Sequence, residues 1–190
     1  GVYRDQNRTY AGQFLSGQLT GKGLIEWPSG DHYEGDVVNG TPHGKGVWKN
    51  RLGNSYEGAF VEGLWHGRGV FSEKGKVYRG AFRAGRQTGH GEIDWQNGDK
   101  YIGDLVNGKP HGQGRFVEIS GERYEGGWRE GLKSGQGNWS KNMQKGIETY
   151  RGERHVGKRH GQGTWEGPKN ERYEGDWWAG KRHGLGIWNM

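Results

Sequence analysis

The chain has 190 residues, with 28 Lys and Arg against 22 Asp and Glu for a formal charge of +6, and it holds 41 Gly, 10 Trp, 9 Tyr, 5 Phe and no Cys. The lack of Cys excludes a disulfide framework and a thiolate metal centre, and no apolar run approaches the ~18 residues of a membrane-crossing helix. Val, Ile, Leu and Phe together supply only 29 residues, which points toward disorder, but so many aromatic rings offer too much buriable surface for an unfolded chain. The expectation is an ordered, cytoplasmic protein whose core is not aliphatic.

Residues 1–9, opening GVYRDQNR, read as the tail of a preceding unit, so the chain reads as a piece of something longer. From Tyr10 one phrase recurs, with tyrosines at Tyr10, Tyr33, Tyr56, Tyr78, Tyr101, Tyr124, Tyr150 and Tyr173, spaced 23, 23, 22, 23, 23, 26 and 23 residues apart. A Gly stands two places after each tyrosine, and a G-x-G pair at offsets eleven and thirteen, from Gly21/Gly23 to Gly184/Gly186. Seven full repeats run from 10 to 172 and a partial eighth covers 173–190, as one continuous array over 1–190.

Two further columns carry the physics. Offset four holds Phe14, Val37, Phe60, Phe82, Leu105, Trp128, Arg154 and Trp177, and offset fifteen holds Ile25, Trp48, Phe71, Ile93, Phe116, Trp139, Trp165 and Trp188. Offsets zero, two and four share period two, as do eleven, thirteen and fifteen, and period two means strands with each set on one face. Each repeat is therefore predicted as a hairpin: a strand Y-x-G-x-W, a loop around G-K-x-H-G, and a strand G-x-G-x-W. Gly inside a strand weakens it unless something approaches the backbone closely, and here each ring is expected to lie over a neighbouring Gly. Offsets one and three, with Glu34, Asp36, Glu57, Asp104, Glu174 and Asp176, are expected to form a solvated face that keeps the array soluble.

Two repeats depart from the pattern. The sixth is 26 residues long, with extra residues around Asn142–Gly146 expected to bulge the exit of its hairpin and bend the array after it. The seventh places Arg154 where the others have an apolar residue, either stacked on a ring or offering a charge in the aromatic face.

The phrase YEGDW…GKxHGxG, in register over essentially the whole chain, resembles the MORN repeat (membrane occupation and recognition nexus). The resemblance implies an all-β, elongated, single-layer antiparallel array of hairpins, twisted and grooved; at ~4.8 Å per strand, about sixteen strands give roughly 75 Å. It also implies a non-catalytic scaffold, since MORN proteins resemble one another as contact modules in cytoskeletal structures apposed to membranes, ciliary components and junctional proteins. Arrays also sit beside phosphoinositide kinase and SET-class methyltransferase domains, neither of which this chain resembles.

Three candidate surfaces follow. Basic residues recur in the expected hairpin loops, and Lys158, Arg159, Lys181 and Arg182 are the candidates for an anionic phospholipid. The aromatic face of Tyr124, Trp128, Trp139, Tyr150, Arg154, Trp165 and Tyr173 is either self-packed or a groove for a partner's peptide. Trp177, Trp178, Ile187 and Trp188 cluster at the end of the chain, with Trp178 on the polar face, and point to an elongated homodimer. Five of the eight histidines, His43, His66, His111, His160 and His183, share one position before a Gly, a repeat apart and too far to share an ion, so a turn role is expected. No nucleophile–base pair or acid pair occurs, and G-x-G is tied to strand period with no following helix. The reading is no enzyme, no cofactor and no nucleic acid, with protein partners of cytoskeletal or membrane-associated complexes.

Overall fold

The computed structural model describes every residue from Gly1 to Met190, and it contains seventeen strands and no helix. The chain forms two compact halves, Gly1–Ile93 and Asp94–Met190. The first is built on β1 (Val2–Arg4), β2 (Thr9–Leu15), β3 (Gln18–Glu26), β4 (His32–Val38), β5 (Thr41–Lys49), β6 (Ser55–Val61), β7 (Leu64–Glu73), β8 (Lys76–Arg83) and β9 (Arg86–Trp95). Each strand from β1 to β8 pairs antiparallel with the next in sequence, and β9 lies beside β8 with Gly91 against Gly80. The second half repeats the scheme with β10 (Lys100–Val106), β11 (Lys109–Val117), β12 (Arg123–Arg129), β13 (Leu132–Met143), β14 (Gly146–His155), β15 (Lys158–Glu166), β16 (Arg172–Trp178) and β17 (Lys181–Asn189). The all-β array of consecutive hairpins is the expected one.

The hairpin turn is not where the sequence reading put it. It falls on a residue–Gly doublet six or seven residues after the tyrosine, such as Asn39–Gly40, Asn107–Gly108 and Val156–Gly157. In all eight doublets the first residue has φ between 48° and 51° and the glycine between 72° and 90°. Two successive positive φ values make a type I′ turn, whose twist matches that of paired strands. Of G-K-x-H-G only the first Gly belongs to the turn; the four residues after it lie in the second strand of the hairpin, and all five repeated histidines are strand residues. Two of them also contribute through the main chain: the Tyr33 and Tyr56 hydroxyls, bonded to the carbonyls three residues on, share their proton with the carbonyls of His43 and His66 at 3.1 and 3.2 Å.

Val156 occupies the first turn position at φ 48°, a left-handed conformation that a β-branched side chain adopts only under strain. Val156→Asn is expected to raise stability by about 1 kcal/mol, read as a higher denaturant midpoint; an unchanged midpoint would show that the turn is relaxed around the valine.

A bulge then resets the register. Gly35 faces Gly46, but Val37 faces Pro42, so β5 carries extra residues against β4. Gly44 takes up the slack at φ 58°, and the freed N–H of Lys45 donates to Asp36 Oδ2 at 2.9 Å. The same bond recurs from Gln113 to Asp104, Leu185 to Asp176 and Lys22 to Gln13. Offset three thus does more than keep the surface soluble: its side chain satisfies a backbone donor that the bulge strips of a ladder partner. The Lys22 ammonium, 2.6 Å from Asp36, holds that carboxyl below its usual range, and the Lys45 N–H adds to the effect.

The core of each half is a file of tyrosines on glycine. Seven of them, from Tyr10 to Tyr150, are 0 % exposed, and each ring covers the Cα of the second Gly of its G-x-G pair. A Cβ on Gly46 would meet the Tyr33 ring, and a Cβ on Gly35 would meet the Gly46 backbone. Each hydroxyl donates to the carbonyl three residues on, at 2.7 Å in Tyr33–Asp36 and 3.0 Å in Tyr173–Asp176. Burial raises the hydroxyl pKa to about 12 in Tyr33, Tyr56 and Tyr78, with Asp36 adding to the rise at Tyr33.

The extra residues of the 26-residue repeat form no bulge. β13 and β14 stay in unbroken register from Gly135↔Arg154 to Met143↔Gly146, so its extra residues lengthen both arms of one hairpin.

Candidate functional site

Two cross-strand rows build the aromatic face of each half. One alternates each tyrosine with offset fifteen, as Tyr33, Trp48, Tyr56, Phe71 and Tyr78, and again from Tyr101 through Phe116, Tyr124, Trp139, Tyr150, Trp165 and Tyr173 to Trp188. The other pairs offset four with offset nine: Val37 with Pro42, Phe60 with Trp65, Trp128 with Lys133, Arg154 with Arg159 and Trp177 with Arg182. Offset nine went unrecognised in the sequence because it was assigned to a loop. The residue–Gly doublets just before it were the available signal.

In the first half this face is apolar. Trp65 stacks on Tyr56 with centroids 4.7 Å apart and planes 14° apart, and meets Trp48 edge-on at 5.5 Å. Trp48 and Trp65, together with Trp27, Pro42, Phe60 and Leu64, line an open groove of about 690 Å³. The tyrosines are closed off from solvent, and the tryptophans remain half-buried along the groove.

In the second half the same positions carry cations. Arg159 lies over Trp139, Tyr150 and Trp177 at 5.1–5.4 Å, Arg154 over Tyr124 and Tyr150 at 5.3 Å, and Lys133 over Tyr124 at 5.2 Å. Arg182 approaches Trp188 to 4.1 Å. Two glutamates serve the tryptophans and cations together: Glu122 accepts from the Trp139 indole at 2.6 Å and pairs with Lys133 at 3.7 Å, and Glu148 accepts from the Trp165 indole and pairs with Arg159 at 3.2 Å.

A comparison with protein families matches this repeated geometry to the MORN repeat over residues 10–32, 33–50, 56–75, 78–100, 101–118, 124–139, 150–172 and 173–188. The chain belongs to the MORN-repeat family. No curated protein matches it. The matched segments open on the eight tyrosines of the core. MORN repeats occur in membrane- and protein-binding scaffolds and are generally non-catalytic.

Within the MORN array, the groove candidates of the second half do come together. Tyr124, Tyr150 and Tyr173 are buried with Trp128, whereas Trp139, Arg154 and Trp165 stay partly accessible. The four basic candidates separate: Lys158 and Lys181 follow turns and are exposed, while Arg159 and Arg182 stack on the aromatic face. None of the four stands in a loop, because β15 and β17 begin at Lys158 and Lys181. Of the terminal candidates, Trp177 is 4 % exposed and donates to the Gly163 carbonyl at 3.1 Å, so it belongs to the array's own core. Trp178, Ile187 and Trp188 are 61, 67 and 41 % exposed. Trp178 sits on the polar face against His160 at 4.5 Å. No group of three or more His, Asp or Glu side chains is placed to hold a metal, and no helix is long and apolar enough to cross a membrane.

Proposed function

We propose that this MORN array is a protein-contact scaffold of the cytoskeleton–membrane boundary, and that its aromatic face is the contact surface. The observation that carries this is the division of labour among the rings. Fully buried tyrosines, each hydrogen-bonded to the main chain, hold the sheet rigid, which leaves the tryptophans beside them half-open as large apolar anchors of the kind that dominate protein interfaces. The self-association expected of the chain draws on Trp178, Ile187 and Trp188, the exposed apolar residues of the last hairpin. The anionic-lipid reading has less support, since ring stacking engages Arg159 and Arg182 and leaves Lys158 and Lys181 for a headgroup.

A photoreactive residue at Leu64, inside the groove, is expected to capture a discrete partner from cell extract, and Trp65→Lys is expected to abolish that adduct. The same residue at Glu57, on the polar face, is the control. Equal labelling from both faces would sink the contact reading. Light scattering of Trp178→Ser/Trp188→Ser checks self-association, because an unchanged mass removes those residues from it.

A further inference from the structure

We propose that the aromatic face of the second half receives an acidic peptide segment of a protein partner, whose carboxylate seats on Arg154 between Lys133 and Arg159. This rests on the contact reading above and names the chemistry of the partner.

Arg154 breaks the repeat. Its column is otherwise Phe, Trp, Val or Leu, and an apolar residue there would complete the core as Phe60 and Trp177 do. The register places Arg154 directly opposite Arg159, and it shares the Tyr124 ring with Lys133, at 5.3 and 5.2 Å. Like charges directly across a ladder destabilise a sheet. Lys133 and Arg159 each have a glutamate, but Arg154 has none: it donates to the Gly157 carbonyl at 3.0 Å, and its buried Nε has no partner. The neighbouring Glu153 is turned to the opposite face, where it accepts from the Gln162 N–H. Arg154 is thus a positive charge in surplus on this face, with no carboxylate within ion-pair distance while Lys133 and Arg159 have theirs.

Such a surplus, held half-buried between rings, is stabilised by an incoming anion. Burial, with the Arg154 charge second, already holds the Lys133 ammonium below its ordinary range. Trp139 and Trp165 flank the cations and remain partly accessible. An acid carried beside apolar side chains satisfies both features, as an acidic peptide does and a bare phosphate does not. A guanidinium also matches a carboxylate in the two-point geometry of the strongest ion pairs.

The test is fluorescence anisotropy with a short capped peptide alternating Glu and Leu, its Gln–Leu counterpart, and phosphatidylcholine vesicles with and without phosphatidylinositol bisphosphate. Arg154→Phe installs the residue that other repeats carry, so it is expected to fold with an equal or higher melting temperature. It is expected to weaken Glu–Leu binding by about tenfold or more, and Arg154→Lys by less; the Gln–Leu peptide is not expected to bind. The inference is overturned if the native protein does not bind the Glu–Leu peptide, if Arg154→Phe binds it equally, if Gln–Leu binds as well, or if only the phosphoinositide vesicles bind. Should Leu64 still capture a partner while Arg154 proves irrelevant, the scaffold stands and only the acidic chemistry falls.

Discussion

Replacing Gly46 by alanine is expected to destabilise the protein by about 3 kcal/mol or more, although it adds a single methyl group. The new Cβ would enter the Tyr33 ring, which cannot retreat: the ring is 0 % exposed, packs edge-on against Phe60 at 4.8 Å, and is fixed by its hydroxyl on the Asp36 carbonyl at 2.7 Å. Overpacking of this kind costs about 1–3 kcal/mol, and displacing the ring adds the loss of a buried hydrogen bond. Gly53→Ala is the control. It lies in open space and suffers only from its φ of 84°, so a loss of about 1 kcal/mol is expected. Denaturant midpoints measure both, and equal midpoints for the two variants would contradict the account of rings seated on glycine.

Alkaline solution should unfold the protein between about pH 10 and pH 12. A free tyrosine loses its proton near pH 10, whereas desolvation holds Tyr33, Tyr56 and Tyr78 neutral to about 12 and raises Tyr10, Tyr124 and Tyr150 as well. The folded chain then binds more protons than the unfolded chain, so stability is intact below pH 10 and falls as pH rises through the folded values. Tyrosinate absorbance and circular dichroism should change together in one steep transition. A shallow titration centred near pH 10 with the sheet signal intact would show that the hydroxyls are open to water.

The strands and the tyrosine file could be read from the sequence because tyrosine, glycine and the second ring recur at fixed offsets, and period two assigns them to one face. What escaped was set by the bulge. Counting by twos along a single strand carries correctly from Tyr33 to Val37, but the partner strand spends extra residues at Gly44 and Lys45. The residue opposite Val37 is therefore Pro42, not one predicted from the G-x-G side. The same shift moves Arg159 and Arg182 from an imagined solvent loop onto the rings. Charge misled as well, because a guanidinium covers aromatic surface with its flat face while keeping its edges for hydrogen bonds. The long sixth repeat was misjudged because three added residues do not reveal whether they kink one strand or extend two.

Every ladder with a defined register joins strands adjacent in sequence, and that neighbourly pairing has a kinetic side. Each hairpin can close with only a short loop to restrict, and the next can zip onto it without waiting for distant chain, which is the topology of rapid folding. On the ribosome such a chain can settle one repeat at a time as it emerges, never holding a long stretch of bare tryptophan in wait for a late partner.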